Sequence, residues 1–193
     1  MLTIRGVLLE RQAIAQRVEV LGRQIAADLQ AEGDRLQARG QAPGPIVMVP
    51  VLTGALVFTA DLIRAMGVKM SIRPVTLSSY PGKSTTSQGV TVQGGVPTDL
   101  AGARVVIVDD ILDSGRTLGL LRRLISAQNP QSVRLAVLLD KQKAAGRDED
   151  VSVEYAGFVI ADEFVVGYGL DFDGYYRNLP DICTMHDDGR PEA

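Results

Sequence analysis

The chain has 193 residues, 46% of them hydrophobic and 22% charged, with 20 Lys and Arg against 23 Asp and Glu. That length suits one domain with a real core, and a net charge of -3 argues against a protein held to nucleic acid by bulk positive charge. A single cysteine, Cys183, excludes an intrachain disulfide and a cysteine zinc cage, and the only histidine, His186, would have to carry any triad or multi-histidine metal site from near the C-terminus.

Residues 1–10 show no apolar stretch followed by small residues, so no signal peptide is expected. From 10 to about 36, Ile14, Val18, Leu21, Ile25 and Leu29 recur at steps of three and four, one stripe of an amphipathic helix. Breakers at 41–45 close it. Residues 46–52 read as a buried strand, Thr53-Gly54 as a turn, and 55–66 as a helix capped by Gly67. The apolar run over 45–60 is interrupted by Pro50, Thr53, Gly54 and Thr59, well short of the ~20 residues that cross a bilayer. A soluble, cytoplasmic protein without a membrane partner is expected.

Residues 70–77 form a second strand candidate, and 78–95 a polar loop with almost no core-forming side chain. Such loops are often lids or binding loops. The β-branched run at 104–108 is expected to be a strand covered on both faces. A helix through Leu121, Leu124 and Ile125 ends near Asn129-Pro130, and 133–139 is another buried strand. Strand, helix and strand in alternation, with no internal repeat or linker, indicate a single α/β domain with a mainly parallel sheet.

Ligands of such sheets bind where strands lead into helices, and the junctions after Leu52 and Val108 stand out. Ser114, Gly115, Arg116 and Thr117 open a helix whose free N–H groups and hydroxyls suit one phosphate. Three carboxylates, Asp109, Asp110 and Asp113, precede it. They would repel a phosphate unless they accept sugar hydroxyls, hold Mg²⁺ or take a proton. The combination suggests a phosphorylated sugar, and the P-loop pattern is missing. The plainer alternative is that Asp113 or Ser114 caps the helix and the Asp pair is solvated.

The string Val-Val-Ile-Val-Asp-Asp-Ile-Leu-Asp-Ser-Gly-Arg-Thr at 105–117 closely resembles the phosphoribosyl pyrophosphate (PRPP) motif of type I phosphoribosyltransferases. Residues 51–55 and 58–62 resemble the family's pyrophosphate loop and its helix. Residues 78–80 and 84–87 resemble the flexible loop of its purine branch. Residues 138–141, 164–171 and 176–180 are similar to the base-binding hood of the hypoxanthine-guanine phosphoribosyltransferases. The likeness runs from about 11 to 183. It implies the type I phosphoribosyltransferase fold, with a core over about 11–140 and a small hood built from the N-terminal segment and about 141–183.

The same resemblance implies purine salvage: a 6-oxopurine, hypoxanthine or guanine, plus PRPP gives IMP or GMP and pyrophosphate. Asp109 and Asp110 would take the ribose hydroxyls, directly or through Mg²⁺. Ser114, Gly115, Arg116 and Thr117 would bind the 5′-phosphate, and Asp113 would be the acid or base at purine N7. Leu52, Thr53, Gly54 and Arg177 would face pyrophosphate. Ile111 would lie beside the purine, Lys141 would donate to its 6-oxo group, Phe164 would stack on it and Val165 would meet its edge. Asp171 would hold Mg²⁺, and Ser79 and Tyr80 would belong to the lid. Relatives imply a homodimer or homotetramer.

The chain departs from the pattern at Thr53, where the family usually has Lys, and weaker hold on pyrophosphate is expected there. Pro81-Gly82 stiffens the lid candidate, and residues 142–150 are longer and more charged than usual. That makes Lys143 an alternative register for Lys141, although Leu-Leu-Asp-Lys matches directly. Two other classes share features with this chain. A regulatory RNA-binding homologue would need a basic face, and only Arg122-Arg123 forms a cluster. A receiver-like domain would need a later phospho-acceptor Asp and would have little use for Phe164 or Arg177.

Overall fold

The structure, a computed structural model, describes residues 2–79, 90–93, 95–143 and 146–187. In chain order the elements are β1 (Leu2–Leu9), α1 (Arg11–Ala38), β2 (Ile46–Leu52), α2 (Leu56–Met66), β3 (Ser71–Ile72), β4 (Val75–Ser79) and β5 (Val90–Gln93). There follow β6 (Arg104–Leu112), α3 (Arg116–Ser126), β7 (Ser132–Lys141), β8 (Tyr155–Ile160), β9 (Val165–Val166) and β10 (Ile182–Asp187).

The stripe expected along the first helix is its buried face: Ile14, Val18, Leu21, Ile25 and Leu29 are all at most 2% exposed. They pack with Phe58, Leu62 and Met66 of α2 against Ile46 and Met48 of β2, Val106 and Val108 of β6, and Ala136 and Leu138 of β7. The alternate residues of the same strands, Val47, Val49, Val105, Ile107, Leu135 and Val137, point to the other face and meet Leu118, Leu121 and Ile125 of α3. Period-two alternation with both faces apolar is what a sheet covered on both sides demands. Each such side chain removed from water contributes ~1.5–3 kcal/mol.

The large sheet runs β5-β4-β2-β6-β7-β8, with β3 also on β2. It is parallel except for β5, which pairs antiparallel with β4. A smaller antiparallel sheet, β1-β10-β9, joins the two ends of the described chain. Among the described residues no helix is long and apolar enough to cross a membrane.

Three expectations need correction. The strand expected over 70–77 is two short strands in one register on β2, Met48 opposite Ile72 and Val51 opposite Val75. Pro74 lies in the break, where it has no N–H for the ladder. The polar loop expected over 78–95 is shorter: Ser79 pairs with Val90 and Ser78 with Thr91 in the β4–β5 hairpin. The β-branched Val90-Thr91-Val92 is the signal that composition obscured. Residues 80–89, including Tyr80, Pro81 and Ser84 to Ser87 of the lid candidate, lie outside the described residues. The strand expected at 104–108 continues to Leu112, so Asp109 and Asp110 belong to β6 itself. Tyr155–Ile160 joins the large sheet as β8, leaving β1, β9 and β10 to build the small one.

Candidate active site

β2 and β6 are neighbours, yet the chain leaves them in opposite directions, through α2 toward β4 and through α3 toward β7. Their carboxyl ends therefore open a crevice at the reversal of strand order, where open parallel sheets hold ligands. A cleft of about 340 Å³ lies there, within the usual range for a small-molecule site. It is lined by residues 51–54, residues 109–115, Thr117 and Leu118, and by Asp171 and Arg177. Leu52, Thr53, Gly54, Asp109, Asp110, Ile111, Asp113, Ser114, Gly115, Thr117, Asp171 and Arg177 are thus brought together from three separate stretches of chain.

The loop after β2 is built for close approach. The Leu52–Thr53 peptide is cis, and a Cβ on Gly54 would lie 1.9 Å from Asp110 Oδ2. Behind it, a Cβ on Gly169 would lie 2.3 Å from the Gly54 carbonyl oxygen. Only glycine at both positions lets the two loops meet against the carboxylate.

Asp109 is 6% exposed, and its Oδ1 accepts the Asp110 backbone N–H at 3.0 Å. Burial, reinforced by repulsion from Asp110, pushes the Asp109 carboxyl well up. Burial also raises Asp110, against a lowering hydrogen bond with Asp109. Hydroxyl donors or a cation facing this pair would relieve that cost.

Helix α3 starts after Gly115, which has φ 82° and supplies no side-chain cap. Ser114 Oγ accepts the Arg116 N–H only at 3.4 Å. Asp113 does not cap either; its Oδ1 lies 2.6 Å from Lys143 Nζ. No side-chain hydrogen bond caps the helix at Gly115, so the simple capping alternative is not realised, and a helix start of this kind can receive an anion. Arg116 does not line the cleft: its guanidinium is 3.1 Å from Asp148.

On the other side of Asp113, Lys141 ends β7 almost buried. Its Nζ lies 3.1 Å from Asp162 Oδ1 and 4.0 Å from Asp113 Oδ2. Phe164 is 45% exposed and meets Phe172 edge to face, with centroids 5.7 Å apart. Val165 is buried on β9 opposite Thr184. Lys141, Phe164 and Val165 lie outside the lining of the cleft proper. Ser79 ends β4, and Tyr80 lies outside the described residues.

Arg177 closes the remaining wall. Its Nη1 donates to the Gly169 carbonyl at 2.7 Å, and its Nη2 lies 2.7 Å from Asp171 Oδ1. Asp171 Oδ2 also accepts the Gly174 N–H at 2.8 Å. Sequence reasoning missed Gly169 and Asp162, and it weighed Lys143 only as an alternative register for Lys141, not as the partner of Asp113. Gly169 was legible in Gly-Tyr-Gly at 167–169, whereas Asp162 carries no local signal of its pairing with Lys141.

Among the described residues no three carboxylate, histidine or cysteine groups converge as a metal cage. From the described residues the cleft nevertheless gathers four carboxylates, Asp109, Asp110, Asp113 and Asp171, with one lining cation, Arg177. That set repels a polyphosphate unless a divalent ion accompanies it. It suits an ion that draws most of its oxygens from substrate and water, as Mg²⁺ does with phosphates.

Residues 8–173 match the phosphoribosyl transferase domain family. The chain is 40% identical over 183 residues to the hypoxanthine-guanine phosphoribosyltransferase of Mycobacterium tuberculosis, covering 94% of this chain and 86% of that one. It is 38% identical over 176 residues to the hypoxanthine phosphoribosyltransferase of Escherichia coli, covering 91% and 92%. A crystal structure of a hypoxanthine-guanine phosphoribosyltransferase from Bacillus anthracis superimposes with a TM-score of 0.81 at 33% identity, over 97% of this chain and 100% of that one. A type I phosphoribosyltransferase fold with a strand-end cleft facing a helix start defines the class. Within that class, the chain belongs to the hypoxanthine(-guanine) phosphoribosyltransferase family.

Proposed function

We propose that the cleft between β2 and β6 carries out this family's reaction in purine salvage, with the chain's own residues in the roles below. The enzyme transfers the 5-phosphoribosyl group of PRPP to hypoxanthine or guanine, giving IMP or GMP and pyrophosphate. One observation carries the residue assignment: an uncapped helix start, a candidate base and a guanidinium converge on a single cleft.

The 5′-phosphate sits on the N–H groups opening α3, held by the Ser114 and Thr117 hydroxyls. Asp109 and Asp110 accept the ribose hydroxyls. As purine N9 bonds C1′, the bond from C1′ to pyrophosphate oxygen breaks and its electron pair leaves with pyrophosphate. Asp113 takes the N7 proton, so the product purine is neutral. Lys141 donates to the 6-oxo group, which a 6-amino group cannot reciprocate, and Phe164 and Ile111 flank the ring. Arg177 meets the leaving pyrophosphate with a fixed pair of donors. Asp109, Asp110 and Asp171 would hold the Mg²⁺ that accompanies PRPP, and such an ion would supply charge neutralisation of the pyrophosphate. Water beside the ribose cation would waste PRPP, and the stretch containing Ser79 and Tyr80 is the lid candidate that excludes it. The protein works in the cytoplasm as a homodimer or homotetramer, which light scattering on the purified chain tests.

The decisive assay uses purified protein, Mg²⁺ and PRPP with hypoxanthine, guanine, xanthine and adenine in turn. Nucleotide is expected from 6-oxopurines and not from adenine; no product with any 6-oxopurine sinks the proposal. Thr53 offers a hydroxyl and a backbone N–H where the family usually has a cation. Thr53→Lys is therefore expected to lower the PRPP KM, with kcat for the same base little changed. An unchanged PRPP KM shows that the substitution does not matter.

A further inference from the structure

We propose that Lys143 is a positioning residue for the reaction, orienting the Asp113 carboxylate so that Oδ2 is the oxygen offered to the purine. The proposal rests on Asp113 being the base at N7.

Lys143 lies beyond the end of β7, in a segment tied down on both sides. The Gly146 N–H donates to the Lys143 carbonyl at 3.0 Å. Arg147 donates to the Lys141 carbonyl at 2.9 Å and pairs with Asp140. Past the turn, the Glu149 N–H donates to the Ser114 carbonyl at 3.1 Å. A Cβ on Gly115 would lie 2.1 Å from the Glu149 carbonyl oxygen, so this approach needs glycine there. The segment therefore spans from the purine side of the site to the phosphate loop, with its backbone anchored at each.

This anchoring delivers the ammonium to one oxygen. Lys143 Nζ is 2.6 Å from Asp113 Oδ1, whereas Lys141 Nζ is 4.0 Å from Asp113 Oδ2 and 3.1 Å from Asp162. The close ion pair with Asp113 also holds the Lys143 ammonium above its ordinary pKa, so the charge persists at neutral pH. The two carboxylate oxygens are thus unequal: Oδ1 is engaged, and Oδ2 is turned toward Lys141.

A 6-oxopurine presents N7 and O6 side by side on one edge. With N7 protonated, that edge offers a donor next to an acceptor. Oδ2 and the Lys141 ammonium offer the complement, an acceptor next to a donor. A carboxylate has lone pairs enough to keep Lys143 on Oδ1 while Oδ2 accepts N7–H. Without Lys143 the carboxylate is free to turn, and the neighbouring ammonium is Lys141. An Asp113–Lys141 pair would occupy both the acceptor for N7 and the donor for O6. Asp162 provides the counter-pull on Lys141, which is why the arrangement uses two lysines and two aspartates.

The test is Lys143→Gln, assayed with hypoxanthine and PRPP varied separately and repeated in an Asp113→Asn background. The single variant is expected to lose about tenfold in kcat/KM for hypoxanthine, within the range of directly coupled pairs, with an unchanged PRPP KM and thermal midpoint. Lys143→Arg restores most of the loss. In the Asp113→Asn background, Lys143→Gln adds nothing, because there is no carboxylate left to orient. A fully active Lys143→Gln, or an equal fold-loss in both backgrounds, overturns the proposal. An impaired Asp113→Asn beside an intact Lys143→Gln removes only the role of Lys143. A fully active Asp113→Asn removes the base assignment and this proposal together.

Discussion

Asp113→Asn is expected to lower kcat by about 10²–10⁴, the span over which a positioned acid or base contributes, while PRPP binds as before. Asn matches Asp in shape and still offers an oxygen, but it cannot take the N7 proton as the glycosidic bond forms. The proposed phosphate cradle, the α3 N–H groups with the hydroxyls of Ser114 and Thr117, should be spared, because Asp113 does not cap that helix. Steady-state kinetics with hypoxanthine, together with PRPP titration by calorimetry, separate the two quantities. Wild-type turnover in this variant displaces Asp113 as the base.

Arg177→Ala is expected to cost about 10²–10³ in kcat/KM for PRPP, comparable to losing a preorganised donor at a developing anion. Among the described residues the arginine is the one cation lining the cleft, and its fork is already set by Gly169 and Asp171. Its removal leaves Asp171 without that partner and facing pyrophosphate, so repulsion adds to the lost attraction. The fold should survive, since the Gly169 N–H still donates to the residue 177 carbonyl at 3.0 Å. Arg177→Lys should fall between the two, keeping charge but losing the planar fork. Unchanged PRPP kinetics in a folded Arg177→Ala would remove pyrophosphate binding from this residue.

Local pattern accounted for most of the core and poorly for the margins. The α1 stripe, the β2, β6 and β7 runs and the αL cap at Gly67 follow from short-range rules, because each buries an apolar face at its own period. β1 and β10 depend on pairing between the two ends of the chain, Thr3 opposite His186 and Val7 opposite Cys183. No window of sequence contains both partners of such a ladder. The same holds for the β4–β5 hairpin, where Ser78 and Ser79 read as loop until Thr91 and Val90 pair with them.

The candidate site divides along the same line. The contiguous stretch from Asp109 to Thr117 is legible because a strand end, a turn and a helix start are local events. Arg177, Asp171 and Lys141 took their place only from resemblance to a family. Nothing near Lys141 in sequence announces that Asp162 will hold it, or that Lys143 will take Asp113.

The composition arithmetic argued against a disulfide, a cysteine zinc cage and a histidine triad; Cys183 and His186 lie on β10, outside the cleft lining. The mild excess of acid gained a location, with four aspartates in one cleft. By itself, then, the sequence determined an α/β domain, its buried faces and the strand-turn-helix junction after β6, because these are written in residues within one or two turns of each other. Tertiary structure decided which carboxylates share the cleft and which oxygen of Asp113 faces Lys141. Those are distances between side chains 28 to 64 residues apart, from Asp113–Lys141 to Asp113–Arg177, and only the packed sheet brings them together.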